Sequence, residues 1–213
     1  MPRRTLLVGG APEVPIDAVR FLTVDATGAT AVALAERLAA AGCAADLLLS
    51  RLAAPQRAAA RYRTRADLEA ALEAWLAAHP GGTVVMSAAI NDYRLHAVEA
   101  MQAGAATVLA PGAKAASGAD ELVIRLRPAA KLIDSLRARG HRGPLVAFKY
   151  EAAATVLASA ERLRQRTAAA LVVANSLCGT VQAILAGDGA VTRHPSRAPL
   201  IDDLAARLVA LAG

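Results

Sequence analysis

Aromatic residues, cysteines and long apolar runs are all scarce in this chain, and each scarcity excludes a class of protein. Aromatic side chains make up 3% of the 213 residues, so the core must be built from Ala, Leu and Val. The two cysteines, Cys43 and Cys178, lie far apart, which disfavours a disulfide scaffold and a cysteine zinc site and favours a reducing cytoplasm. No apolar run approaches the roughly 20 residues that span a bilayer. We therefore expect no membrane partner and no signal peptide.

Lysine is scarce as well. Only Lys114, Lys131 and Lys149 occur among 24 basic residues, and all three fall within one short stretch. Because a compact ammonium suits a single phosphate oxygen in a tight space, these lysines are candidate anion contacts. The net charge is +6, but the densest basic stretch, 51–65, lacks interleaved aromatic residues, so we expect no nucleic-acid partner. A solvated basic surface and attraction of a small polyanion remain open.

Short apolar segments alternate with amphipathic segments through most of the chain. The apolar segments predict strands over 4–8, 45–49, 83–86, 145–148 and 170–174, and the amphipathic ones predict helices after most of them. This alternation predicts an α/β fold in three layers, with a mostly parallel sheet and helices on both faces. Two further short segments, 106–109 and 122–126, predict a hairpin within a flap over about 104–127. We expect a single domain over 1–213.

Polar and small residues follow the predicted strands, where ligands bind in such folds. Gly10, Asp92, Lys149 and Asn175 are the main examples. No GxGxxG or Gly-Lys-Ser/Thr motif occurs, which disfavours an ordinary NAD site and a P-loop. The glycine pair ending at Gly10 fits either a structural turn or a ligand contact. Asp92 fits either a ribose contact or a turn cap.

Two further features of the sequence bear on possible ligand sites: the start of the first predicted helix and the four histidines. Thr27 and Gly28 would offer N–H groups to a phosphate or would simply cap the helix. The four histidines have no metal-binding spacing, so we predict no protein residues as metal ligands.

Seven short segments, in order along the chain, resemble the phosphopantothenoylcysteine synthetase family, also called phosphopantothenate–cysteine ligases. The segments are GGAPEVPIDAVRFL from Gly9, ATG from Ala26, AAINDY from Ala88, KAASG from Lys114, AFKYE from Ala147, VVAN from Val172, and SR from Ser196. They are similar to the family's P-I-D-x-V-R-F-I, S-S-G, A-A-V-A-D-Y, K-I-x-S-S-G, G-F-K-L-E, I-V-A-N and Ser-Lys motifs.

The resemblance implies a Rossmann-like, standalone, usually homodimeric cytoplasmic enzyme of coenzyme A biosynthesis. It implies that CTP or ATP, with Mg²⁺, activates the carboxylate of 4′-phosphopantothenate as an acyl-nucleotide, which L-cysteine then attacks. The resemblance assigns catalysis to Lys114 and the acid substrate to Arg20 and Val24. It assigns the nucleotide to Gly10, Thr27, Gly28, Ala88, Ala89, Asp92, Phe148, Lys149, Asn175 and Arg197.

Two departures from the family pattern favour an alternative. Val24 stands where the family has an asparagine, and it has no donor or acceptor. Ala29 stands where the family has a lysine. The alternative is a catalytically impaired paralogue that binds a nucleotide or phosphopantothenate as a regulatory or scaffold protein. An NAD(P)-dependent oxidoreductase is a third hypothesis, and it rests on fold class alone.

Overall fold

Eight strands form one large sheet in the computed structural model, which describes residues 3–213. Two smaller antiparallel sheets accompany it. The strands are β1 (Thr5–Gly9), β2 (Val14–Pro15), β3 (Phe21–Leu22), β4 (Ala45–Ser50), β5 (Ala60–Tyr62), β6 (Thr83–Met86), β7 (Tyr93–Gln102), β8 (Ala105–Val108), β9 (Glu121–Pro128), β10 (Leu145–Glu151), β11 (Leu171–Ser176), β12 (Gln182–Ala186) and β13 (Val191–Arg193). The helices are α1 (Ala29–Ala40), α2 (Arg65–Ala78), α3 (Leu132–Ser135), α4 (Val156–Thr167) and α5 (Arg197–Ala212).

The order of strands in the large sheet creates one reversal of direction. The order is β13-β12-β11-β10-β6-β1-β4-β5, parallel from β11 to β5 and antiparallel at β12 and β13. The chain runs from β1 outward to β4 and β5, and then returns to β6 on the other side of β1. The carboxyl ends of β1 and β6 therefore flank a topological switch point, where open α/β sheets bind ligands.

Helices cover both faces because the strand side chains alternate between them. Leu6 and Val8 of β1 belong to one layer of core together with residues of α2, α3 and α4, whereas Leu7 belongs to the other layer, together with residues of α1 and α5. The apolar stripe of α1 includes Leu34 and Leu38, both buried. Aliphatic side chains dominate both layers of core, and the expected three-layer α/β fold is confirmed.

Helix α2 begins directly after Thr64, which caps it. The Thr64 side chain accepts a hydrogen bond from the backbone N–H of Asp67, and the Asp67 side chain accepts one from the backbone N–H of Thr64. This reciprocal capping box satisfies two N–H groups that have no partner inside the helix. Helix α3, in contrast, is a single turn that ends at Ser135.

The region expected to be a hairpin contains three strands instead. β8 and β9 do not pair with each other, because both pair with β7, which lies between them. The predicted hairpin or flap appendage is thus confirmed as a small antiparallel sheet, but it has three strands and starts at Tyr93. We use "flap" below for residues 93–128.

Across residues 3–213, every helix is too short or too polar to cross a bilayer.

Candidate functional site

A cleft at the carboxyl ends of β1, β6, β10 and β11 divides into two chambers. The α4 chamber has a volume of about 400 Å³ and is lined by Val24, Met86, Ser87, Ala88, Ala89, Ile90, Asp92, Lys131, Leu132, Ile133, Phe148, Lys149, Tyr150, Ser159, Leu163 and Arg166. The α1 chamber has a volume of about 440 Å³ and is lined by Gly10, residues 25–30, Ser87, Ala89, Phe148, Lys149, Tyr150, Asn175, Ser176, Leu177, Gly179, Gln182 and Arg197. The five residues common to both walls make the cleft continuous.

The floor of the α1 chamber requires glycine at two positions. Gly10 has φ +85°, and a Cβ there would overlap Ser50 Oγ and lie 2.7 Å from Ala53 Cβ. Gly28 has φ +73°, and its Cβ would lie 2.9 Å from Ala53 Cβ. Only glycine adopts this backbone without strain or overlap. The Gly10 carbonyl also accepts a hydrogen bond from the Ala89 N–H at 2.9 Å, which joins the loops after β1 and β6.

Two helices, α1 and α5, direct their N-termini at the α1 chamber. Neither has an acidic residue in its first turn, and neither N-cap residue, Gly28 or Ser196, makes a side-chain capping bond. Arg197 occupies the first turn of α5 and donates to Thr30 Oγ1 at 2.6 Å. A cation is unfavourable at a helix N-terminus, because the helix dipole is positive there. The chamber therefore has the electrostatics of an anion site.

Two unpartnered amide oxygens add to the polar wall. Asn175 Oδ1 and Gln182 Oε1 are buried and have no hydrogen-bond partner among residues 3–213. The two residues are paired across β11 and β12. Turning either amide by 180° would present its nitrogen instead, so each can donate to or accept from a ligand.

Lys149 and Glu151 project from the end of β10. Lys149 Nζ lies 3.8 Å from Glu151 Oε2. A hydrogen bond from the Ser159 side chain, followed by the charge of Lys149, holds the pKa of Glu151 below its ordinary value. Because this contact is long and both side chains are partly exposed, the Lys149 ammonium remains accessible to an anion.

The α4 chamber is more apolar than the α1 chamber. Small side chains at Ala88 and Ala89 leave room beside Phe148, and Leu132 closes the wall. Asp92 Oδ2 pairs with Lys131 Nζ at 2.7 Å. A flat ring fits such a slot, and the Asp92 side chain would accept hydrogen bonds from hydroxyl groups at its edge.

Eleven of the thirteen residues predicted from the sequence line this cleft. They are Gly10, Val24, Thr27, Gly28, Ala88, Ala89, Asp92, Phe148, Lys149, Asn175 and Arg197. The structure brings together their positions, while their roles in binding or catalysis remain predictions.

Lys114 and Arg20 lie outside both chambers. The buried carboxylate of Asp17 accepts hydrogen bonds from the Arg20 N–H at 2.8 Å and the Ala115 N–H at 3.1 Å. Arg20 Nη2 in turn donates to the Ala115 carbonyl at 3.3 Å. Asp17 thus anchors the loop that carries the exposed Lys114 against residues 17–20, away from the cleft of the same chain.

Several cleft residues were absent from the predicted set. Asp25 and Gln182 line the α1 chamber, Lys131 lines the α4 chamber, and Ser87 and Tyr150 lie where the two meet. Both have a signal in the sequence, because Ser87 comes directly after the predicted strand 83–86 and Tyr150 is the second residue after the predicted strand 145–148. The sequence marks Lys131 as a candidate anion contact, but no local pattern predicts its contact with Asp92, 39 residues away.

Residues 3–213 contain no group of three or more His, Cys, Asp or Glu side chains that could hold a metal ion. Within the same residues, Asp25 is the one carboxylate on the wall of the α1 chamber. A site made wholly of protein ligands is therefore disfavoured. A cation held mainly by ligand phosphates and one carboxylate is compatible with this wall, because Mg²⁺ is commonly bound in that way.

Comparison with known proteins identifies the family. Residues 2–195 match the sequence profile described as the DNA/pantothenate metabolism flavoprotein C-terminal domain. This chain belongs to that family. It is the phosphopantothenoylcysteine synthetase family, as the sequence motifs predicted.

The relatives of this synthetase-family chain agree in fold and differ in length. It is 28% identical over 180 residues to the coenzyme A biosynthesis bifunctional protein CoaBC of Thermococcus kodakarensis, covering 82% of this chain and 41% of that protein. The chain thus spans about two-fifths of that curated relative.

Solved structures support the same fold. The DNA/pantothenate metabolism flavoprotein from Streptococcus pneumoniae has a TM-score of 0.78 at 18% identity, covering 99% of this chain and 97% of that one. A Cab2 mutant in complex with phosphopantothenate-cysteine has a TM-score of 0.73 at 14% identity, covering 98% and 85%.

Proposed function

We propose that this chain ligates 4′-phosphopantothenate to L-cysteine, with CTP or ATP as the activating nucleotide, in coenzyme A biosynthesis. The observation that carries the proposal is the continuous cleft. Its α1 chamber combines two helix N-termini with Lys149 and Arg197, and its α4 chamber combines small side chains with Asp92. A nucleoside triphosphate has the same two parts, a polyanion joined to a sugar and a flat base.

In the proposed binding mode the triphosphate occupies the α1 chamber. Backbone N–H groups at the start of α1 and α5 donate to phosphate oxygens, and Lys149 and Arg197 neutralise charge. The base and ribose lie in the α4 chamber between Ala88, Ala89 and Phe148, with ribose hydroxyls donating to Asp92. The 2.7 Å ion pair with Lys131 holds the Asp92 carboxylate in place for that contact.

The proposed reaction has two steps. A carboxylate oxygen of phosphopantothenate attacks the α-phosphorus and displaces pyrophosphate, and the cysteine amine then attacks the acyl carbon and releases the nucleoside monophosphate. The first step joins two anions, so the residues contribute mainly positioning and positive charge. A Mg²⁺ ion bound to the triphosphate would supply further neutralisation.

The direct test is a pyrophosphate-release assay with phosphopantothenate, cysteine and either CTP or ATP. We expect turnover with one of the two nucleotides and none when cysteine and phosphopantothenate are both omitted. Absence of turnover with both nucleotides would refute catalysis. In that case nucleotide binding, measured separately, would test the alternative, a protein that binds without ligating.

Lys114 requires a separate element of the proposal. We propose a homodimer on the strength of the family resemblance, and exposed apolar side chains at Val19, Leu22 and Val108 support an interface near the flap. Movement of the Lys114 loop, or its approach from a second copy, would bring the ammonium to the phosphates. Lys114→Ala should then lower turnover at least tenfold, whereas a change within twofold would remove its role.

Val24 favours the alternative function. It lines the α4 chamber and offers no hydrogen bond to a bound acyl group. The alternative is a protein that binds nucleotide or phosphopantothenate without ligating. Val24→Asn distinguishes an impaired ligase from a protein that only binds. A gain of ligation would support the impaired ligase, whereas unchanged binding without turnover would support a regulatory or scaffold protein.

A further inference from the structure

Asp25 is anomalous among the carboxylates of this chain. Nearly every Asp and Glu side chain is engaged by a partner, as in the pairs Arg57–Glu36 and Arg166–Asp134 and the bond from the Ala103 N–H to Asp120. Within residues 3–213, the side chains of Asp25 and Glu121 alone lack both a hydrogen bond and an ion pair. Both side chains are exposed, but Glu121 lies on β9 of the flap, whereas Asp25 lies on the wall of the α1 chamber.

The local backbone does not account for Asp25. An aspartate just before a helix is often an N-cap, but here the Ala29 N–H is bonded by Thr27 Oγ1 at 3.3 Å. The nearby cations do not account for it either. Arg197 donates to Thr30 Oγ1, and Lys149 faces Glu151. The carboxylate is therefore bonded by no other group of residues 3–213 and is free to meet a ligand from the chamber.

The charge of Asp25 conflicts with that of its chamber. The other charged and dipolar groups of the wall favour an anion, as the first turns of α1 and α5 show. A carboxylate beside a bound triphosphate would repel it, and more strongly in a partly enclosed cleft than in open water. A divalent cation between them converts this repulsion into two attractions.

We infer that Asp25 is the protein ligand of a divalent cation carried into the α1 chamber on a triphosphate. The inference rests on the proposed function in one respect, that a triphosphate occupies this chamber. Mg²⁺ keeps most of its waters and uses one or two carboxylates together with phosphate oxygens, so a single aspartate is sufficient. The position also suits the reaction, because its neighbour Val24 lines the other chamber, and residues 24–25 thus lie where the two chambers join.

Calorimetric titration of CTP and ATP, in excess Mg²⁺ and in EDTA, tests the inference. The change in affinity caused by Asp25→Asn should have opposite signs in the two conditions. For Asp25→Asn we expect metal-free triphosphate to bind about threefold more tightly, because a repulsion is removed. We expect the Mg²⁺ complex to bind about tenfold more weakly, because a ligand is lost. Asp25→Glu should retain most of the Mg²⁺ dependence of the wild type.

Glu121→Gln is the matched control, since it removes the other unpartnered carboxylate of residues 3–213 from a site on the flap. Its affinities should equal those of the wild type in both conditions. A second measurement uses Mn²⁺ in place of Mg²⁺. In the presence of the triphosphate, water-proton relaxation should report bound Mn²⁺ with the wild type and markedly less with Asp25→Asn.

Equal effects of Asp25→Asn in Mg²⁺ and in EDTA would overturn the inference, because a merely exposed aspartate would change both affinities together. If the wild type binds neither CTP nor ATP, the proposed function fails, and the same titrations are made with inorganic tripolyphosphate, which needs the α1 chamber alone. Opposite effects of Asp25→Asn on tripolyphosphate affinity in Mg²⁺ and in EDTA would support Asp25 as a metal ligand even though the proposed ligase function had failed. No binding of tripolyphosphate, with or without Mg²⁺, overturns the inference as well.

Discussion

Two regions of this molecule are rich in positive charge, and they use it in opposite ways. The arginine segment, residues 51–65, contains the densest run of cations in the chain, and its arginines are engaged within the protein. The engaged groups are Glu13 for Arg51 and Arg63, Glu36 for Arg57, Glu69 for Arg65, and backbone carbonyls for Arg61. In the cleft, Lys149 and the first turns of α1 and α5 leave their positive potential facing open space.

The difference shows that cation density along a sequence is a poor guide to an anion site. In the arginine segment, Glu13 is buried, with its side chain 2% exposed, and it lies between Arg51 at 2.6 Å and Arg63 at 2.8 Å. These charges neutralise one another and shape a loop. The cleft has fewer cations, but the backbone dipoles at the starts of α1 and α5 add to its positive potential, and no sequence count reveals them.

The largest expected effect tests whether backbone geometry, rather than charge, builds the cleft. Gly10→Ala should lower the free energy of unfolding by about 3 kcal/mol, combining left-handed strain with overlap against Ser50 and Ala53. Gly42→Ala is the control, because Gly42 also has a positive φ, +71°, but nothing within 4 Å of its Cβ. It should cost about 1 kcal/mol. Equal losses in urea denaturation would show that the close approach is unimportant.

Sequence patterns predicted the elements that are buried on both sides. Strands β1, β6 and β11 are continuous apolar runs, and such runs have few alternatives in an α/β chain. β7 escaped prediction because its exposed and partly buried residues mix charges into the alternation. β5 also escaped prediction, because it is three residues long and only Tyr62 in it is buried. The Tyr62 hydroxyl donates to the Gly9 carbonyl at 2.9 Å.

The candidate site was predictable where residues follow strands and unpredictable where it depends on distant contacts. Gly10, Asp92, Lys149 and Asn175 were found because the ends of parallel strands meet at one edge. The position of Lys114 was not, because it depends on the bond from Ala115 to Asp17, 98 residues away. Only the folded chain reveals that this loop lies outside the cleft.

The second prediction sharpens the arginine half of the comparison. Arg61 Nη1 donates to the carbonyl of Ser50 at 3.1 Å, and Nη2 donates to those of Ala54 at 2.9 Å and Arg57 at 2.6 Å. Arg61→Ala should therefore lower the free energy of unfolding by about 2 kcal/mol. Arg61→Lys should restore little of that, because an ammonium lacks the fork that reaches several carbonyls.

The control for this prediction is Arg193→Ala. Within residues 3–213 the Arg193 side chain has no hydrogen bond or ion pair, so its removal should change stability by less than about 0.5 kcal/mol. Nucleotide affinity should be unchanged in all three variants. A loss of affinity in Arg61→Ala with stability intact would mean that the arginine segment, too, binds anions.

The third prediction addresses the cleft. Arg197→Ala should raise the dissociation constant for the nucleoside triphosphate about tenfold, because a charge-assisted contact to phosphate is lost. Its stability should stay within about 0.5 kcal/mol of the wild type, since the cation opposes the α5 dipole. Arg193→Ala, tested in the same titration, should bind normally. A destabilised Arg197→Ala with unchanged affinity would place Arg197 among the structural arginines.

The smallest expected effect is a pH dependence at Glu13. Burial raises the pKa of this carboxyl, but hydrogen bonds from Arg63 and Arg51 outweigh burial and hold the pKa below its ordinary value of 4.5. The folded state therefore keeps Glu13 ionised at pH values where the unfolded chain takes up a proton. Its contribution to stability is present above pH 4.5 and is lost as the pH falls through the folded pKa.

Glu13→Gln measures this contribution directly. The variant should unfold about 1 kcal/mol more easily than the wild type at neutral pH, and the difference should shrink as the pH falls below 4.5. Glu121→Gln, which removes a carboxylate without a partner in residues 3–213, should show no such difference at any pH. A gap between wild type and Glu13→Gln that persists in acid would mean that shape, rather than charge, makes Glu13 fit between its arginines.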